Sequence, residues 1–142
     1  NYNKKINVCT KTFQALRIFV NKETTELIEG LIKASKIVKL GGKIIVVSFH
    51  SIEDRIVKYF FTNYSESKSK PSRYLPIDSS KSNFLFESYK NILLKPDSDE
   101  VLNNPASRSA KLRYAVRGKQ NFIYPDELKI KFKNYLELEK ND

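Results

Sequence analysis

The sequence predicts an α/β fold, and three observations carry that prediction. Lys43 to Phe49 (KIIVVSF) is a β-branched run without polar alternation, the pattern of a strand covered on both faces within a parallel sheet. Apolar residues recur at helical spacing on either side of it. The chain has 142 residues, 40% of them hydrophobic and 30% charged, which suits one globular domain with a substantial core.

The elements follow in order. Thr12 to Val20 (TFQALRIFV) reads as a short helix with Phe13, Leu16 and Val20 on one face. Asn21 is the expected N-cap of the next helix, with Glu23 and Glu26 in its first turns and Leu27, Leu31, Ala34 and Val38 on its apolar face. That helix should run to about Leu40, where Gly41-Gly42 stops it. After the strand, Ser51 is expected to cap a helix, with Asp54 three residues on and Ile52, Ile56, Tyr59 and Phe60 as its apolar face. Residues 65–82, rich in Ser and Lys with Pro71 and Pro76, read as a long mobile surface loop. Tyr89 to Leu94 reads as a strand ending at Pro96, and Ser98 as the cap of one helical turn over 99–103. Ala110 to Arg117 (AKLRYAVR) alternates apolar and basic residues, so it reads as a strand with Leu112, Tyr114 and Val116 on one face. Pro125 suits the first turn of a closing helix to about Glu139.

The expected organisation is a partial domain over 1–142. Helices, the buried strand and its following helix fill 10–62, the loop 65–82, the terminal strands 89–117 and the C-terminal helix 125–140. The order helix, strand, helix, loop, strand, strand is that of the back half of a Rossmann-like sheet with flanking helices. A strand covered on both faces needs parallel neighbours, expected upstream of Asn1 or in a second copy of the chain.

Composition excludes several classes. The longest apolar run, Ile44 to Val47 with Phe49 after Ser48, falls far short of the ~20 residues of a membrane span. A single cysteine, Cys9, excludes an internal disulfide framework and a cysteine-cluster zinc site, and no metal is expected. No signal-peptide pattern opens the chain. The sequence starts at Asn1 and lacks methionine, so a segment of a longer product or a processed chain is expected. Lysine outnumbers arginine 20 to 6, alongside 12 asparagines and 13 isoleucines, a bias of AT-rich coding sequence that makes the arginines the more informative cations.

The net charge of +10 is uneven. Residues 1–22 carry Lys4, Lys5, Lys11, Arg17 and Lys22 without an acid, and residues 105–120 carry Arg108, Lys111, Arg113, Arg117 and Lys119 likewise. Asp97, Asp99 and Glu100 form an acidic knot between them. Acid-free basic stretches suit a polyanion, because each neutralised phosphate releases counterions. Lysines on a solvated face are the competing explanation.

Three segments carry chemistry. Ser48 to Arg55 (SFHSIEDR) places polar side chains where a buried strand ends and a helix begins, the position at which open α/β sheets bind ligands. His50, the only histidine, stands there; a histidine that merely hydrogen-bonds the strand–helix turn is the open alternative. A Ser–His hydrolase is disfavoured, because no G-x-S-x-G elbow is present. Asn104 to Arg113 (NPASRSAKLR) makes a turn and then offers hydroxyls and guanidinium groups suited to phosphates, or else a basic edge strand. Thr10 to Arg17 (TKTFQALR) is the third, with Thr10 or Thr12 as helix cap; a plain amphipathic helix is its alternative.

Together these segments resemble the C-terminal half of the bacterial-type small-subunit ribosomal RNA cytosine-N4 methyltransferases, the MraW or RsmH type. The resemblance rests on TKTFQALRIFVN, GGKIIVVSFHSIEDRIVK and NPASRSAKLR, three ordered matches over residues 10–117. Lys11 stands where the family has arginine, losing a bidentate fork, and Ala106-Ser107 replaces a more basic pair. The family's glycine-rich loop for S-adenosylmethionine has no counterpart, nor has its acidic ribose-binding residue. The four glycines, Gly30, Gly41, Gly42 and Gly118, cannot build that loop, so this chain by itself is not expected to hold the cofactor.

The resemblance implies the C-terminal half of a Rossmann-like (class I) S-adenosylmethionine-dependent methyltransferase sheet. It implies methyl transfer to N4 of a cytidine in small-subunit rRNA, with the rRNA or ribosomal subunit as partner. His50 and Ser51 are the expected catalytic pair lining the base pocket, and Asp54 and Arg55 are expected to fix the turn. Arg17, Arg108 and Arg113 are expected to contact RNA phosphates. A bacterial cytoplasm, or an organelle with bacterial-type ribosomes, is the expected compartment. Two other readings stand beside this one: a non-catalytic RNA-binding module retaining the half-fold, and an inactive fragment held as a homo-oligomer across its exposed sheet edge.

Overall fold

Residues 8–66, 84–87 and 89–140 are described in the computed structural model. Their order is α1 (Val8–Val20), α2 (Glu23–Ile37), β1 (Lys43–Ser48), α3 (Ser51–Asn63), α4 (Ser98–Asn103), a 3-10 turn over Pro105–Ser109, β2 (Lys111–Val116), α5 (Asp126–Lys131) and α6 (Lys133–Leu138). The loop expected over 65–82 lies outside the described residues from position 67 onward.

The chain is mixed α/β, and the parallel neighbours expected for β1 are not among the described residues. Among the described residues β1 has one partner, β2, and they run antiparallel, with Lys43 opposite Val116 and Ser48 opposite Lys111. Nor do the described residues cover both faces of the strand. Ile44, Val46 and Ser48 look toward the helices, while Ile45 and Val47 on the opposite face are 60% and 49% exposed. The composition of this strand is that of a two-sided core. One side of that core has no cover among the described residues.

β2 inverts its expected polarity. Its buried positions are Arg113 and Ala115, whereas Leu112, Tyr114 and Val116 are half-buried on the open face beside Val47, Ile45 and Lys43. Tyr89 to Leu94 does not form a strand; only Leu94 pairs, exchanging both backbone hydrogen bonds with Leu112 at 2.9 and 3.0 Å.

The core sits between α2, α3 and the covered sheet face. Ile28, Leu31 and Ile32 of α2 meet Ile56, Val57, Phe60 and Phe61 of α3, with Ile44, Ala115, Leu85, Phe86, Leu128 and Phe132 closing the cluster. Phe86 stands edge-on to both Phe60 and Phe61, at centroid distances of 5.3 and 5.4 Å, a favoured aromatic geometry. Each fully buried phenylalanine contributes about 1.5–3 kcal/mol of transfer free energy. Over residues 9–20, α1 buries only Ile18, and its expected apolar face of Phe13, Leu16 and Val20 is exposed.

The helix ends differ from the sequence templates. Lys22, not Asn21, takes the N-cap position of α2, in the left-handed region at φ 51° and without a side-chain cap. The backbone N–H groups of Thr24 and Thr25 donate instead to Glu139, just after α6, at 3.0 and 2.8 Å. Asp97 rather than Ser98 caps α4, accepting from the Glu100 N–H at 2.8 Å. The closing helix is two short ones, interrupted at Phe132.

Candidate active site

The turn from β1 into α3 is built by a reciprocal cap one residue earlier than the sequence suggests. His50, extended at φ −131°, is the N-cap, and its Nδ1 accepts the Glu53 N–H at 3.4 Å. Glu53 Oε2 accepts the N–H of Phe49 at 2.9 Å and of His50 at 3.4 Å. The two residues thus satisfy donors that a helix start leaves open. An imidazole that accepts at Nδ1 carries its proton on Nε2.

That Nε2 lies 3.2 Å from Glu53 Oε1 and 3.7 Å from Glu23 Oε2, with the His50 side chain 9% exposed. Neither contact closes as an aligned hydrogen bond. A buried donor left so costs about 1–3 kcal/mol. Glu23 is held from its other side by Arg17, through Nε to Oε1 at 2.8 Å and Nη2 to Oε2 at 3.2 Å. Burial works against the charged form of Glu23, but the bonds from Arg17 and Asn21 and the positive charge of Arg17 outweigh it and hold its carboxyl below the usual range.

Glu23, His50 and Glu53 bring three ligand-type atoms within 4.8 Å of one another. Their chemistry suits a proton rather than a cation. A metal on Nε2 would place the imidazole proton on Nδ1, facing the Glu53 N–H, donor against donor, and metal-bound imidazoles need an acceptor there.

Asp54 turns away from the turn and ties α3 to β2. It accepts from Arg113 Nε at 2.7 Å and Lys111 Nζ at 3.1 Å. Burial opposes its charge, yet the Arg113 and Lys111 bonds outweigh that and hold the carboxyl below the usual aspartate range. Arg113 is 5% exposed, and its remaining donors reach the Tyr89 hydroxyl at 3.1 Å and Asn91 Oδ1 at 2.9 Å. The phosphate contact expected of Arg113 is therefore corrected: its guanidinium is spent inside the fold. Arg117 is also buried, donating to the carbonyls of Leu85, Gly118 and Gln120. Arg55, expected to fix the turn, is exposed.

The remaining expected residues gather at one end of the sheet. Ser48 pairs with Lys111, so the 3-10 turn carrying Arg108 lies at the same end as His50 and Ser51. Arg108 and Ser51 are exposed, and Arg17 joins this end through Glu23. Phe49, 56% exposed between Ser48 and His50, was missed by sequence reasoning because it ends an apolar run. Glu53 was missed because Asp54 fits the capping template equally well. A groove of about 240 Å³ between Val47, Leu94, Pro96, Ala110 and Leu112, with Lys95 and Glu100 at its rim, opens at this end. A concavity of about 470 Å³ lined by Gly118 and Lys119 lies at the opposite end.

The described residues do not form a cradle for S-adenosylmethionine. Gly30 lies within α2, Gly41 (φ +74°) and Gly42 make the turn into β1, and Gly118 packs on the backbone of Phe86. Of the four, only Gly118 lies in a strand-to-helix connection, between β2 and α5, and it stands there without a second glycine. No helix among the described residues is long and apolar enough to cross a membrane.

Residues 1–118 match the MraW methylase family. Over 115 residues the chain is 48% identical to the ribosomal RNA small subunit methyltransferase H of Ehrlichia canis (strain Jake), covering 81% of the chain and 36% of that protein. It is 48% identical to the protein of that name from Ehrlichia chaffeensis (strain ATCC CRL-10679 / Arkansas), over 81% of the chain and 35% of the relative. For Sinorhizobium fredii (strain NBRC 101917 / NGR234) the identity is 46%, over 80% of the chain and 33% of the relative. The chain thus spans about a third of the length of the curated relatives it matches. With its SFHSIEDR turn at the carboxyl end of β1 and a family match over most of its length, the chain belongs to the MraW methylase family.

Proposed function

We propose that the protein carrying this chain is an S-adenosylmethionine-dependent methyltransferase acting on N4 of a cytidine in small-subunit rRNA. The observation that carries the proposal is the family match over residues 1–118, which includes the whole β1–α3 turn and the basic segment before β2. The names of the relatives support rRNA as the substrate class, and their bacterial origin supports a bacterial cytoplasm. The bare faces of β1 and α1 support a larger Rossmann-like sheet to which this chain contributes the C-terminal half.

The described residues do not fit the cofactor, so no step is routed through it. What they supply is orientation. The lone pair of a cytosine exocyclic amine is delocalised into the ring, and holding the amine in line contributes most of what catalysis needs. Phe49 offers a ring face on which an unstacked base can rest, and Ser51, two residues on and exposed, offers a hydroxyl. His50 acts from behind, holding the turn, and Arg17 and Arg108 meet RNA phosphates.

The test is incubation of the whole protein with labelled S-adenosylmethionine and small ribosomal subunits, followed by nucleoside mass spectrometry. N4-methylcytidine is the expected product. Label on another atom would overturn the N4 assignment. RNA binding without label would favour the non-catalytic module, the reading that fits described residues without a glycine cradle.

A further inference from the structure

We propose that Glu23 is a positioning residue for His50, held back by Arg17 until an RNA phosphate takes that guanidinium. Glu23 Oε2 stands between two donors, 3.2 Å from Arg17 Nη2 and 3.7 Å from His50 Nε2. The first contact is closed and the second is not. Arg17 is exposed, whereas the imidazole is buried and its Nε2 has no aligned partner. One carboxylate is therefore shared unequally between a surface cation and a buried donor.

Arginine binds phosphate in the same forked geometry as carboxylate. When a backbone phosphate engages Arg17, Glu23 Oε1 keeps the Asn21 amide at 3.4 Å, while Oε2 loses its closed contact and faces the His50 Nε2–H. A movement of about 0.8 Å brings that contact to ordinary hydrogen-bond length. The effect passes through the ring: an imidazole whose Nε2–H is firmly accepted is a better acceptor at Nδ1, and Nδ1 caps α3. Phosphate binding at the α1–α2 junction thereby tightens the Phe49–Glu53 turn. The α1–α2 junction and the β1–α3 turn, well separated in sequence, join in one chain of contacts: Arg17, Glu23, His50, Glu53.

This inference rests on the proposed function only for the identity of the anion, so the experiment has two arms. In the first, the side-chain N–H resonance of His50, assigned with His50→Gln, is followed by ¹⁵N NMR in the whole protein without RNA. Arg17→Gln is expected to sharpen that resonance and move it downfield, and adding Glu23→Gln to reverse the change; Arg17→Lys, which keeps the charge and loses the fork, provides an intermediate. A resonance indifferent to Arg17 overturns the proposal. In the second arm, rRNA fragments are expected to reproduce the shift in the wild type and not in Arg17→Gln, while inorganic phosphate at the same phosphate concentration does not. RNA without effect, beside a responsive Arg17→Gln, overturns the phosphate trigger and leaves methyl transfer untouched. In the methylation assay, Glu23→Gln is expected to lower kcat about tenfold with KM for RNA within about twofold, a split that a purely structural role does not produce.

Discussion

Glu139 Oε1 accepts the backbone N–H of Thr24 at 3.0 Å, although 115 residues separate the two. The other oxygen takes the Thr25 N–H at 2.8 Å and its hydroxyl at 2.6 Å. α2 begins at Glu23 with no side-chain cap of its own, so the residue after α6 serves as one. Its negative charge also lies at the positive end of the α2 dipole.

Glu139→Ala leaves the buried Thr24 N–H without an acceptor and is expected to cost about 2 kcal/mol. Glu139→Gln keeps an acceptor oxygen and should cost about 1 kcal/mol. Chemical denaturation checks both. A change below about 0.5 kcal/mol for the alanine variant would remove Glu139 from its capping role.

Asp54 and Arg113 make stability depend on acid. Asp54 has a folded pKa below its ordinary 3.8, so its contribution is complete above that value and is lost as pH falls through the lower, folded one. Asp54→Asn should flatten the acid limb of a stability–pH curve below about pH 4. Arg113→Ala leaves Asp54 half-buried and without its main partner, and is expected to cost about 3 kcal/mol. If Arg113→Ala instead leaves the melting temperature unchanged and weakens only RNA binding, the inward placement of this arginine is refuted.

What the sequence showed and what it hid divide along a physical line. β1 and α3 were legible because β-branched density and helical periodicity are local properties. The cap of α3 was legible only to within one residue: histidine is an uncommon N-cap, so the usual template slid to Ser51 and Asp54 and exchanged the roles of Asp54 and Glu53. Arg113 and Arg117 look like a solvated stripe in sequence. They turn inward because Asp54 and the carbonyls around Leu85 wait there, and those partners come from other segments. The parallel neighbours of β1 were inferred from its composition, which reports what a strand needs and not what these residues contain.

Tyr64 is buried beside Phe60 and its hydroxyl has no aligned hydrogen-bond partner. Burial pushes that hydroxyl up to about 12, against a weak backbone approach from Leu128. Tyr64→Phe removes a polar atom that is not compensated and keeps the ring. It should stabilise by about 1 kcal/mol, raising the melting temperature by about 4 °C. A loss of stability would mean that the hydroxyl has an acceptor after all.

Arg108 separates the proposed RNA interface from the structural arginines. It is exposed on the 3-10 turn before β2, at the same end of the sheet as His50, whereas Arg113, five residues on, is enclosed. Taking a guanidinium away from a phosphate lowers affinity and makes it less salt-dependent, because one fewer counterion is released. Arg108→Ala should leave thermal stability within about 0.5 kcal/mol of wild type, the usual range for a surface substitution. It should also reduce the slope of log affinity against log salt by about 0.7–0.9. Binding of rRNA fragments across a salt series measures affinity and slope together. An unchanged slope with weaker binding would place Arg108 on a base or on protein; an unchanged affinity would move the RNA path away from this end of the sheet.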